Sequence, residues 1–540
     1  SLIYQPLNNP YQSFTMASSA QVTGGWILIA FYAALILFFV IRGALRTKNI
    51  SDYAVGNFNF SPLFVGLSLA AAMTSAATFV INPGLIAAYG LSGLLSFGLV
   101  FPIASLVSLV VLTKSFRRHG TNVKALTLAS WIGTRYNSKG YALFIAFLSV
   151  LLLTFIVLIL VAITKVVSQA LNVGEVSMLF MVIVFVFGYM MFGGANSMVY
   201  TNTIQAIVMV VVAVILIASG YQYLKDGLFS FFDKLAAISP DLVKPTNPAS
   251  PLFRDLFEII VAQMVVGVAV VCQPHIITKS LLLKKESDVN KYLVSAVIIQ
   301  VLFYSVVFAG LYARLTFPDL TSNGKPLGID GIIPAYVVKI FSNGWVAISI
   351  GLIVVLGLIS AGLSTIEGLI QSLSTTITSD IIKPLFGKMV ANEQKYILIN
   401  RLVIVGMAVV SFLAARSQLL HPNLSVAIFA QNGVYSFFSI AFVPIVFGIF
   451  YKNTSLKTAV AGSVTALLTY FTVYYIFPWL ITSYGFSFGF FDRYFSGKVQ
   501  NPAIAAATAI VVSVLVSFTL YYSYRKSNLE KVNLSEKSAA

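Results

Sequence analysis

Charge is scarce in this chain: of its 540 residues 9% are Asp, Glu, Lys or Arg and 58% are hydrophobic. A soluble domain of this size carries about a quarter charged residues, so no sizeable water-facing domain is expected. Cysteine is nearly absent. Cys272 is the only one and lies inside an apolar run, which excludes a disulfide framework within the chain. Also missing are an intramembrane His–carboxylate cluster, a cysteine nucleophile and a phosphate-binding glycine loop, since Gly267 sits within an apolar run. Those absences argue against an enzyme and against an organic cofactor. The first apolar run is too long for a cleavable signal and is followed by Arg42, Arg46 and Lys48. Residues 1–20, polar and uncharged, read as a leader or appended segment with a natural start near Met16.

What is present is apolar sequence in membrane-length pieces. Thirteen spans are read, at 23–43, 62–88, 92–113, 141–165, 177–193, 199–219, 256–277, 292–315, 346–377, 402–415, 424–450, 458–477 and 501–524. Many approach the ~20 residues that cross a bilayer. The net charge of +17 could suggest nucleic acid, but 23 of the 34 Lys and Arg fall in loops on one side. That excess follows the positive-inside rule, with the N-terminus outside and the C-terminus cytoplasmic. The expected location is a cell membrane, the bacterial inner membrane, with the lipid bilayer and no nucleic acid as partner. The stretches 220–255 and 316–345 are expected to fold as short helices and turns on the outer side, and the tail 525–540 to be disordered.

Breakers recur at related places. Span two carries Asn82-Pro83-Gly84 and span seven carries Gln273-Pro274-His275, five spans apart and therefore crossing in opposite directions. A proline in a membrane helix is often only a tolerated kink. A pair at corresponding positions of two inverted halves marks a transporter's binding site. The chain divides accordingly into an extra helix at 21–45, a first repeat at 46–220 and a second repeat with outer loops at 221–450. Peripheral helices at 451–524 and the tail at 525–540 complete it.

Span nine reads "GLISAGLSTIEGLIQ". Ala361, Ser364 and Thr365 stand at i, i+3 and i+4, on one helix face. Two hydroxyls there can serve a hard cation, or can bond their own i−4 carbonyls and ease helix packing. Glu367 is a carboxylate deep in the span, and a charge at the bilayer centre costs several kcal/mol unless paired or hydrated.

Four stretches in series, "AAAMTSAATF" (70–79), "FGGANSMVYTNTIQAIVM" (192–209), "QPHIITKSL" (273–281) and "SAGLSTIEGLIQSLSTTITSD" (360–380), resemble the sodium/solute symporter family over roughly 50–480. That family includes sodium-coupled carriers of proline, pantothenate, acetate, sialic acid and sugars. The resemblance implies an all-α membrane protein of the LeuT type, with about thirteen helices and two inverted repeats of five. It also implies Na+ as coupling ion, a small-molecule substrate and, as expected here, a monomer. Carried over by position, the main sodium site uses carbonyls of Ala71 and Thr74 at the break in span two. Its partners in span nine are the carbonyl of Ala361 and the hydroxyls of Ser364 and Thr365. Many members place an aspartate in a Trp-Thr-Asp stretch where this chain has Tyr200-Thr201-Asn202. Glu367 replaces a hydroxyl of the second sodium site present in some members, so the negative charge moves from span six to span nine. Glu367, with Asn202 and Thr201, is therefore expected to form a second cation or proton site; a neutral, packing role for Glu367 is the alternative.

The positions that bind hexose in the family's sugar carriers are here Met73, Thr78 and Phe97, which cannot ring a sugar with hydrogen bonds. "QPHI" is similar to the proline carriers, and "LAAISPDLVKP" and "RLTFPDL" to the pantothenate branch. The expected substrate is a small organic acid or amino acid bearing a carboxylate, met by free N–H groups at a broken helix. Gln263, Gln273 and His275 are further candidate contacts. The expected activity is sodium-driven import by alternating access, each positive charge gaining about 2.3 kcal/mol per 100 mV. A sugar symporter is the alternative substrate reading. A transporter-like solute sensor would need a signalling domain longer than the tail after 524, and a channel would conduct without sodium dependence.

Overall fold

The computed structural model describes residues 17–390, 392–422 and 425–539, so most of the leader reading, including Met16, lies outside the described residues. The described chain is almost wholly helical. α1 (Ser19–Ala44) starts on a capping box, in which Ser18 Oγ accepts from the Gln21 N–H and the Gln21 side chain accepts from the Ser18 N–H. α2 (Pro62–Met73) and α3 (Ala77–Tyr89) form one span bent by 51°. The break falls at Thr74 (φ −93°, ψ 84°), and Ser75 Oγ accepts from the Ala77 N–H to begin the second half. α4 (Leu91–Asn122), α5 (Lys139–Leu171) and α6 (Glu175–Ala218) follow.

α6 has 44 residues and contains one residue outside helical backbone, Gly194 at φ 57° and ψ −159°. Tyr189 and Gln205 lie on either side of Gly194, yet both reach the carboxylate of Glu367. In a straight helix sixteen residues span about 24 Å, farther than those two side chains can bridge. The run therefore doubles back at Gly194. A Cβ there would sit 2.6 Å from Tyr53 Cδ2, so the turn admits only glycine.

α7 (Phe257–Cys272) and α8 (Pro274–Leu282) form the second bent span, at 60°. Gln273 between them is extended (φ −77°, ψ 139°), the conformation that a residue before proline prefers. The chain continues with α9 (Glu286–Thr316), α10 (Trp345–Phe386), α11 (Lys395–Leu420), α12 (Val426–Phe450), α13 (Leu456–Tyr484) and α14 (Pro502–Ala539). Among the described residues ten helices are long and apolar enough to cross a membrane, with the two bent pairs raising the number to 12. Dividing α6 at Gly194 accounts for the remaining span of the thirteen expected. The chain is a multi-pass membrane protein.

α5, α10 and α12 bury more than half of their most apolar stretch, whereas α1, α11 and α13 expose most of theirs. Exposed Ile27, Phe31 and Ile41 on α1, and Leu402, Val409 and Leu413 on α11, form an apolar outer surface suited to lipid. Two local expectations need correction. The tail beyond 524 continues α14 as helix to Ala539, because it contains no glycine or proline and is rich in good helix formers. The stretch 316–345 contains, besides the helix Ile332–Ile340, a small antiparallel hairpin pairing Thr321 with Pro326 and Ser322 with Lys325. Its Asn323-Gly324 turn has positive φ at both residues, the preferred geometry of a two-residue hairpin.

Candidate functional site

The break between α2 and α3 faces the middle of α10. Ser364 Oγ donates to the Ala71 carbonyl at 2.8 Å, and Thr365 Oγ1 donates to the Ala72 carbonyl at 2.8 Å. Both hydroxyls also lie by the Ala361 carbonyl, at 3.1 and 3.5 Å. All five residues are fully buried. Five oxygens from two helices thus converge, three of them carbonyls, of which those of Ala71 and Ala72 lie in the last turn before the break at Thr74. Oxygen-only surroundings of this kind suit a hard monovalent or divalent cation. Four of the five residues expected there (Ala71, Ala361, Ser364 and Thr365) come together. Thr74 stands at the break, but its hydroxyl accepts from Gln300 Nε2 on α9 at 2.7 Å. The second carbonyl contact to the hydroxyl pair comes from Ala72, a residue that counting along the sequence passed over.

Beside this cluster lies a cavity of about 110 Å³. Met73, Thr78, Phe97, Gln263, Gln273 and His275, the six residues expected to contact substrate, all line it. Phe101, Phe155, Tyr304 and Tyr435 add aromatic walls, and Asn82 and Gln431 add amides. His275 is buried with neither ring nitrogen bonded to the protein, and its ring meets the edge of Phe155 at 5.8 Å. Gln273 donates through Nε2 to the Val270 carbonyl at 3.1 Å, leaving Oε1 without a partner. Buried polar groups are nearly always paired, so three unpaired atoms in one apolar cavity point to a polar guest.

One turn past Ser364, Glu367 is fully buried and surrounded by donors. Tyr189 Oη and Gln205 Nε2 donate to Oε1 at 2.6 and 2.9 Å, and Thr201 Oγ1 donates to Oε2 at 2.7 Å. With its amide oriented to satisfy its neighbours, Asn202 donates to Glu367 Oε2 and to Gln205 Oε1, both at 2.8 Å. The Asn202 oxygen then accepts from Ser68 Oγ at 3.3 Å and from Lys279 Nζ at 3.1 Å. Glu367, Asn202 and Thr201, grouped from the sequence, do meet. Lys279 corrects the loop reading: counted with the charges of an inner loop, it is 3% exposed.

A family model, the sodium:solute symporter family, matches residues 53–466, most of the chain. The chain belongs to the sodium:solute symporter family. Among curated relatives, the sodium/pantothenate symporters of Haemophilus influenzae and Escherichia coli are 26% and 24% identical. The matches cover 79% and 82% of this chain and 85% and 89% of those proteins. A sodium/proline symporter of Staphylococcus aureus is 25% identical, over 84% of this chain and 86% of its own. The fold resembles that of a solved Na+-coupled sialic acid symporter in a substrate-bound outward-open state. The TM-score is 0.69 at 19% identity, over 91% of this chain and 96% of that one. A nucleobase-cation-symport-1 family transporter in a closed conformation matches at TM-score 0.52 and 14% identity, covering 89% and 95%. This symporter thus has the LeuT-like fold, couples solute movement to sodium and belongs to a family of transporters.

Within the symporter, sequence reasoning missed Tyr189, Gln205 and Lys279 around Glu367, and Gln300 at the first break. Tyr189 and Gln205 carry no motif of their own, and only the reversal at Gly194 brings them together. Lys279 did carry a signal, since it follows His275 by four residues in the same short helix. A charge at that register, just past a break, shares the face of the cavity residue.

Proposed function

We propose that this symporter imports a small carboxylate-bearing solute, an organic acid or an amino acid, together with sodium. The observation that carries the reading is the pair of hydroxyls, Ser364 and Thr365, seated on the carbonyls of Ala71 and Ala72 at a helix break. Sodium is held there by the Ala71 and Ala361 carbonyls and the two hydroxyls, with Thr74 contributing its carbonyl from the break. As the ion arrives the hydroxyl protons turn away, so that both oxygens offer lone pairs instead of spending them on carbonyl contacts. The ion then ties α2 to α10 at the point where Met73 and Thr78 enter the cavity. Sodium binding and cavity shape are coupled through those few residues of backbone.

The solute occupies the cavity. His275 and Gln273 meet its polar groups, while Met73, Phe97 and the aromatic walls enclose its carbon skeleton. The apolar lining gives a hexose too few partners, which favours the acid over the sugar. The pantothenate and proline carriers among the relatives are consistent with this, since both named solutes are carboxylates. The excess of basic residues in alternate loops supports an N-terminus outside and a cytoplasmic C-terminus. The two bent spans support inverted repeats over 46–220 and 221–450, acting as a single carrier unit. The test is uptake into proteoliposomes across a panel of organic acids, amino acids and sugars, with and without an inward sodium gradient. Sodium-dependent accumulation of a sugar alone would overturn the carboxylate reading.

A further inference from the structure

Buried formal charges in a membrane protein need partners. Among the described residues, Arg117, Glu258, Lys279, Asp330, Glu367 and Asp380 are the buried charged side chains. Four have partners elsewhere. Glu258 bonds Arg254, Arg117 donates to the Leu283 carbonyl, Asp330 accepts from Ser425 Oγ and the Val426 N–H, and Asp380 accepts from Thr127 Oγ1. Lys279 and Glu367 remain, of opposite sign, on helices α8 and α10. They are joined through one amide: Lys279 Nζ donates to the Asn202 oxygen at 3.1 Å, and the Asn202 nitrogen donates to Glu367 Oε2 at 2.8 Å.

We propose that the Lys279 ammonium is the cation that neutralises Glu367, a tethered substitute for a second sodium, so that this symporter binds one sodium per cycle. The inference rests on the sodium reading of the Ser364–Thr365 site. Glu367 carries the negative charge that a second cation would need, and its surroundings are already filled. Four donors, from Tyr189, Gln205, Thr201 and Asn202, converge on its two oxygens. A carboxylate has about four lone-pair sites, so a mobile ion can enter only if Asn202, which Lys279 holds by its oxygen, turns its amide away from Glu367. The remaining requirement is charge, and Lys279 supplies it at the distance of one bridging amide. In this proposal Glu367, Asn202 and Thr201 serve a cation that is covalently part of the chain. The location has a mechanical consequence. Lys279 lies one turn beyond His275 on α8, and the carbon skeleton of His275 packs near the Cα of Gly368, the neighbour of Glu367 (3.5 Å from a Cβ built there). The tethered charge thus joins the half-helix that carries a cavity residue to the helix that carries the sodium hydroxyls.

The test is equilibrium binding of radioactive sodium to the purified full-length protein, counted per polypeptide at saturation. Wild type is expected to bind one, and Ser364→Ala to need about 10- to 150-fold more sodium to fill that site. Lys279→Met, which keeps the length and removes the charge, is expected to bind two. The double variant Lys279→Met/Glu367→Gln is expected to return to one. Two sodium ions on the wild type would overturn the inference while leaving the first site standing. A single sodium on a folded Lys279→Met would also overturn it. No sodium on the wild type would instead sink the reading of the first site. Should Lys279→Met fail to fold, wild type and Glu367→Gln decide the matter, with one sodium expected on each and loss of a sodium in Glu367→Gln counting against the proposal.

Discussion

Ser364→Ala removes a single oxygen from the junction of α2 and α10. That hydroxyl donates to the Ala71 carbonyl at 2.8 Å. Its loss leaves a buried carbonyl short of a partner, a penalty of about 1–3 kcal/mol. With sodium present the loss is of a different kind, since the oxygen is then a ligand to a full charge. Contacts to charged groups are worth about 1.5–3 kcal/mol, which corresponds to an affinity about 10- to 150-fold weaker. Sodium-induced thermal stabilisation separates the two effects. At a concentration 100 times the wild-type Kd, sodium stabilises the protein by about 2.7 kcal/mol. A tenfold weaker site reduces that increment to about 1.4 kcal/mol, and a hundredfold weaker site to about 0.4 kcal/mol. The measurement is therefore the difference between sodium and potassium buffers for each variant, which cancels the baseline cost of the unpaired carbonyl. Thr365→Ser, which keeps its hydroxyl, should retain most of the wild-type increment. An undiminished increment in Ser364→Ala would refute the placement of sodium between Ala71 and Ser364.

Three further outcomes follow from single residues. His275→Ala removes a ring that makes no hydrogen bond within the described protein, so thermal stability and sodium response should hold while the apparent KM for the solute rises tenfold or more; an unchanged KM would place the solute elsewhere. Gly194→Ala forces a side chain into a backbone conformation that is nearly exclusive to glycine and brings its Cβ 2.6 Å from Tyr53 Cδ2. A loss of about 1–3 kcal/mol is expected, read as a lowered melting temperature, and wild-type stability would deny the tight reversal. Burial holds the Asp330 carboxyl above its ordinary range, against the lowering effect of its bonds to Ser425 and Val426. An acid whose folded pKa is raised stabilises the fold fully below its unfolded value of about 3.9, and loses that contribution as pH rises through the folded value. Asp330→Asn should accordingly gain on wild type as pH rises above the unfolded value of about 3.9, and a pH-independent difference between the two proteins would contradict this.

Much of the architecture was legible because bilayer thickness and backbone satisfaction leave few options. Apolar runs marked the spans and Pro274 marked the second broken helix, whereas the first helix breaks at Thr74, nine residues before Pro83, which lies within α3. That Ala361, Ser364 and Thr365 share a face followed from helical periodicity, whereas their sodium role and the choice of Met73, Thr78 and Phe97 followed from the family resemblance. What was not legible depends on where the chain turns in three dimensions. The reversal at Gly194 sets Tyr189 against Gln205, a contact that no periodicity encodes. Ala72 displaced Thr74 as the recorded carbonyl partner because the direction of a carbonyl at an unwound residue depends on φ and ψ, not on residue type. Lys279 was misjudged for a physical reason too. Lysine near a span end ordinarily snorkels to water, and only the buried carboxylate one amide away holds it inside.

Sodium-gradient-driven accumulation in proteoliposomes tests the central claim most directly. With purified protein, sodium outside and potassium inside, one of a panel of carboxylates should accumulate above its outer concentration. It should run down when the gradient is collapsed, and accumulate with reduced sodium affinity in Ser364→Ala. Accumulation that is equal in sodium and potassium, or that is confined to solutes without a carboxylate, would contradict the account.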